Sequence, residues 1–123
     1  MEIKTLCIQI DKLLDEYTTV ESFKIGKTSD PNAREDDYIL EGYPLFHVIH
    51  TGEKEEISSA EKDLINYFTT QSRHKDKCDN MHKGGGAPDA TMLYIALKVK
   101  DFSLNDLNIQ EYIFDKYFPI INH

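Results

Sequence analysis

Apolar residues at Ile3, Leu6, Cys7, Ile10, Leu13, Leu14 and Tyr17 recur at helical spacing. They form one stripe over about four turns and predict an opening helix that the β-branched pair Thr18-Thr19 brings to an end. Leu6, Ile8 and Ile10 also alternate, but a strand would leave Leu13, Leu14 and Tyr17 unexplained. Phe23 and Ile25 alternate with Lys24 and Gly26, which predicts a short strand ending at Thr28. Asp30 followed by Pro31 is a helix start, a capping carboxylate and then proline in the first turn, so a short helix is expected to about Tyr38. Gly42 and Pro44 break the chain before a strand at 45–51 with Phe46 and Val48 on one face.

Ser58 and Glu61 have the spacing of a capping box, with Ala60, Leu64, Tyr67 and Phe68 continuing a helix. Residues 71–91 are polar and glycine-containing, as expected of a loop. In the apolar strand at 92–99, Leu93, Ile95, Leu97 and Val99 share one face and Met92, Tyr94 and Ala96 the other. From Ser103 a last helix is predicted, burying Ile109, Tyr112, Ile113 and Tyr117. The order of elements predicts an α+β fold, a small three-stranded antiparallel or mixed sheet flanked by helices.

At 123 residues the chain is one domain, long enough to bury a core without disulfides. Two cysteines make no disulfide framework, and neither a leader nor a run of about 20 apolar residues is visible, so a soluble intracellular protein without a membrane partner is expected. The net charge of −8 is the wrong sign for bulk electrostatic binding of nucleic acid, so such a role must rest on a local patch. Residues 71–83 are such a patch. Arg73, Lys75, Lys77 and Lys83 outnumber Asp76 and Asp79, and could grip a phosphate backbone or simply be solvated. His74, Cys78 and His82 stand four residues apart, but three ligands without a fourth are a weak zinc signal.

Gly26-Lys27-Thr28 looks like the end of a phosphate-binding loop, yet Glu21 stands where that motif needs its first glycine. The segment Phe23-Lys24-Ile25-Gly26-Lys27-Thr28, with Arg34 ten residues after Lys24, instead resembles the second strand of the GIY-YIG nuclease superfamily. The similarity is to its minimal phage and viral branch, in which Lys-Ile-Gly-Lys-Thr replaces Tyr-Ile-Gly. Glu61 and the Cys78-Asp79-Asn80 stretch before Gly84-Gly85-Gly86 follow in the family's order, and the resemblance covers about residues 22–86. The family's first strand, with its tyrosine, is missing from the N-terminal side, where Cys7 stands in a helical segment. Met92-Leu93-Tyr94 would fill that place in a circularly permuted version.

The resemblance implies a metal-dependent nuclease acting on DNA or RNA. Glu61 would hold Mg²⁺ or Mn²⁺, Arg34 would offer its fork to phosphate oxygens, and Tyr94 or Tyr38 would take a proton from water. Lys24 would stabilise the phenolate or developing charge. His47 is a candidate base or phosphate contact beside Arg34, and Lys27 and Asn80 are implied nucleic-acid contacts. Each also has a structural reading: Glu61 as part of the capping box, Arg34 as a surface ion-pair residue among Glu35, Asp36 and Asp37, and Tyr94 as core. The alternative function is a GIY-YIG-derived scaffold that no longer cuts and binds protein partners in an assembly such as a virus particle.

Overall fold

The computed structural model describes residues 3–80 and 87–118. The elements run α1 (Ile3–Glu16), β1 (Val20–Thr28), α2 (Pro31–Leu40), β2 (Leu45–Thr51), α3 (Lys54–Thr70), a 3-10 turn (Lys75–Lys77), β3 (Met92–Val99) and α4 (Leu104–Tyr117). None of the described helices is long and apolar enough to cross a membrane.

α1 buries the predicted stripe, Leu6, Cys7, Ile10, Leu13 and Leu14. α2 starts as expected, with Asp30 accepting a hydrogen bond from the Ala33 amide (3.2 Å) and Pro31 in the first turn. The chain leaves α2 through Gly42, whose φ of +96° is strained for any residue with a β-carbon.

α3 corrects the sequence reading. It begins a turn before Ser58, with Glu53 as N-cap and Glu55 and Glu56 placing negative charge in the first turn. Ser58 and Glu61 therefore lie inside the helix and form no capping box. In α4, Ile113 and Phe114 are buried along with Phe118 just beyond, whereas Tyr112 is exposed. The buried stripe thus turns away from the predicted one at Tyr112, and Ile109 lies outside the residues whose side chains are described.

The sheet is antiparallel throughout, in the order β1-β3-β2. Among the described strands the last in chain order is the middle one, so β3 neighbours β1 as well as β2. Gly26 stands opposite Tyr94 and Lys24 opposite Ala96. Alternation along β3 divides the molecule into two apolar clusters. Leu93, Ile95, Leu97 and Val99 join α1, α3 and α4 in the main core. On the other face Tyr94 and Ala96 pack with Tyr38 of α2, Tyr43 and Phe46.

The outer edge of β1 is covered by the loop. Asn80 accepts from the Ile25 amide (2.9 Å) and donates to the Ile25 carbonyl (2.8 Å), while the Asp79 amide donates to Phe23. A side-chain amide here does what a neighbouring strand would do, which blunts an otherwise open sheet edge.

Candidate functional site

Arg34, Tyr38 and Tyr94 come together on the α2 face of the sheet. The strand alternation turns Tyr94 away from the main core, and one turn of α2 separates Arg34 from Tyr38. The Tyr94 and Tyr38 hydroxyls are 2.8 Å apart and hydrogen-bonded. Arg34 Nη2 approaches the Tyr94 hydroxyl at 3.5 Å, and the guanidinium carbon lies 5.3 Å from the Tyr38 ring centre. Both rings are buried, and the Tyr94 ring stacks on Phe46 at 4.8 Å between centres.

The Arg34 side chain is 43% exposed, and among the described residues its ion-pair partner is Asp37, 3.6 Å away on the same helix. Exposed pairs of that kind contribute little, so the planar fork keeps donors for an anion. Burial, and then the bond to Tyr94, push the Tyr38 phenol well above its ordinary value. Tyr38 is therefore a neutral hydrogen-bonding hydroxyl at physiological pH and holds no negative charge with which to draw a proton from water. Gly26 makes the cluster possible, because the Tyr94 hydroxyl occupies the space that a side chain at 26 would need.

Next to this group stands Tyr43, a residue the sequence reading passed over because Gly42 and Pro44 hide it in a break between elements. Its ring meets Tyr38 edge-on at 5.5 Å, and its hydroxyl donates to Asp79 at 2.6 Å. Lys24 Nζ is 5.8 Å and Lys98 Nζ 4.9 Å from the Tyr43 ring centre. Lys98 was also missed, although alternation with Tyr94 and Ala96 signals its face.

Other candidates lie elsewhere. Glu61 is 5% exposed and belongs to α3, which packs in the main core on the opposite face from Arg34 and the tyrosine hydroxyls. Among the described residues no three His, Cys, Asp or Glu side chains are grouped to hold a metal ion. The Arg34 group contributes hydroxyls and a cation, a poor donor set for Mg²⁺ or Mn²⁺. The residues thus do not fit a catalytic metal beside Arg34.

His47 is not beside Arg34: it faces the main core and stacks on Phe114 of α4 at 4.4 Å, and burial lowers its pKa. A bulge after Val48 interrupts the alternation along β2, and His50 meets Glu56 of α3 at 2.9 Å. Lys27 is buried and donates to Ser58 Oγ at 2.9 Å, so it is turned from the Arg34 face. Asn80 is committed at both ends to the backbone of Ile25.

The basic loop is largely tied to α1. Arg73 forms a forked pair with Asp15, and His74 bonds the same carboxylate at 2.6 Å. Beneath them Asp11, 2% exposed, accepts hydrogen bonds from Ser72 and Tyr67. Arg73 is accordingly engaged within the chain, Lys75 is exposed, Lys77 is half-buried, and Lys83 lies outside the described residues. Of the three spaced zinc candidates, His74 is held by Asp15, Cys78 turns its thiol to Asn80 at 3.4 Å, and His82 lies outside the described residues.

No family model matches this chain, and no curated protein or solved structure does either.

Proposed function

We propose that the chain binds the phosphodiester backbone of nucleic acid, in the manner of a GIY-YIG-like protein, with Arg34 and the Tyr94–Tyr38 hydroxyl pair as its phosphate site. The observation that carries this reading is the half-exposed guanidinium of Arg34 set against a hydroxyl pair, with its fork turned to no strong carboxylate partner. A fork of N–H donors with an adjacent hydroxyl matches two phosphate oxygens in charge and geometry. The buried hydroxyl pair backs the guanidinium from the protein side and adds no carboxylate to an already acidic protein. Hydrolysis would further need a group to activate water.

A second reading, the non-cutting scaffold that binds protein partners, is favoured by one observation: Glu61, the carboxylate that the resemblance offers to a metal, belongs to the helix on the other face. One experiment separates the readings. Wild type, Arg34→Ala and Glu61→Gln are incubated with labelled single- and double-stranded DNA and RNA, with Mg²⁺ or Mn²⁺ and with chelator. Phosphodiester binding predicts affinity that Arg34→Ala loses. Metal-dependent cutting abolished by Glu61→Gln would add catalysis and assign it to that carboxylate. A folded wild type that neither binds nor cuts leaves the scaffold reading.

A further inference from the structure

We infer that Lys24 and Lys98 form a second phosphate position on the same face, so that the ligand is a polynucleotide strand presenting consecutive phosphates and not a single nucleotide. The inference rests on the phosphodiester reading of Arg34 and deepens it.

Both ammonium groups converge on one ring, that of Tyr43, within the distance at which a cation is attracted by the π system. They come from adjacent strands, Lys24 on β1 and Lys98 on β3, and each is half-buried. Neither forms a hydrogen bond or ion pair with another described residue. Beside them Asp79 already accepts the Tyr43 hydroxyl at 2.6 Å, and burial first, then Asp79 and lastly Glu41, push the Tyr43 phenol up. Two like charges drawn to one ring repel each other, and a bound anion relieves that repulsion.

The second position is physically continuous with the first. From Arg34 the chain of contacts runs over the Tyr38 ring, across its edge to Tyr43, and on to the two lysines. The line holds three cations, one at one end and two at the other, joined by the buried rings of Tyr38 and Tyr43. That pattern suits a strand whose phosphates are charged and whose intervening sugars are not. Because Tyr43 is only 6% exposed, its ring orders the lysines and does not act as a stacking platform for bases.

The test compares one phosphate with many. The probes are the dinucleoside monophosphate of thymidine, which has a single phosphodiester, and a labelled oligothymidylate, each titrated across a salt series. The variants are Lys24→Gln with Lys98→Gln, which keep much of the side-chain stem over Tyr43, and Arg34→Ala. The expected result is that the double lysine variant loses about tenfold in oligothymidylate affinity and that its log–log salt slope falls by roughly 0.7 per lysine. Its affinity for the single phosphodiester stays at the wild-type value, while Arg34→Ala weakens both probes.

An unchanged slope in the lysine variant, with Arg34→Ala still weakened, overturns the second position and leaves the first standing. Equal loss of both probes in the lysine variant also overturns it, since the lysines would then share the phosphate of Arg34. If Arg34→Ala binds both probes like wild type, the phosphodiester reading itself falls.

Discussion

The hydroxyl of Tyr94 takes the place of a side chain on Gly26, its partner across the β1–β3 ladder. The glycine is therefore required by what stands opposite it and not by its backbone angles.

Gly26→Ala is expected to push the Tyr94 ring aside, breaking its bond to Tyr38 and its approach to Arg34. Overpacking of this kind costs about 1–3 kcal/mol, to be read from urea unfolding. Tyr94→Phe in the same background should not restore the loss, because the ring carbon bearing the hydroxyl also stands in the way of the new methyl. Full stability in Gly26→Ala would show that the ring has room to yield.

Asp15 gives a pH-dependent prediction. Its bond from Arg73, and secondarily that from His74, hold its carboxyl well below the usual carboxylate range. A carboxyl depressed in the folded state contributes stability above its unfolded value of about 3.9 and loses that contribution as pH falls through the folded one. Asp15→Asn should therefore lower the melting temperature at pH 7 and differ less from wild type at pH 3 and below. Because Asp15 and Arg73 are each about half exposed, the effect should also shrink in high salt. A difference of the same size at every pH would exclude the ion pair as its source.

Lys27 separates the phosphate face from the rest of its strand. Its ammonium is buried against Ser58, on the side of the sheet away from Arg34. Lys27→Met keeps the stem while removing a buried charge, so it should leave nucleic-acid affinity and its salt slope unchanged and shift stability by less than about 1.5 kcal/mol. A flattened salt slope in this variant would place Lys27 on the binding surface.

Asn80→Ala should strip the two bonds that close the β1 edge at Ile25. Each lost bond costs about 0.5–1.5 kcal/mol, and the Ile25 amide, no longer covered, should exchange its hydrogen faster than its neighbours in β1. Unaltered exchange at Ile25 would mean that the loop backbone alone protects the edge.

The strands were legible because alternation is a local signal. Leu93, Ile95 and Leu97 against Tyr94 and Ala96 announce both the strand and its two faces. The start of α3 was not, because Ser58 and Glu61 imitate a cap while the true first turn, rich in glutamate, carries no apolar period. Arg34 with Tyr94 could be anticipated only from the ordered resemblance, since the two residues are 60 positions apart. For His47, alternation indicates the face but not that α4 covers it. Arg73 looked like a free cation because its partner Asp15 is 58 residues away, brought near by the docking of the loop against α1.

Because β3 follows β1 and β2 in the chain yet lies between them in the sheet, β1 and β2 have no partner in each other. As the chain leaves the ribosome, helices α1, α2 and α3 can begin to form, but no ladder can close until residues 92–99 have emerged. Every ladder bond of β1 then joins positions some 70 residues apart, the kind of distant pairing that slows folding. During that interval two apolar strands wait with open edges, exposed to any other strand they meet. The insertion of β3 between them then forms the sheet and brings Tyr94 to Arg34 together, before α4 closes the main core.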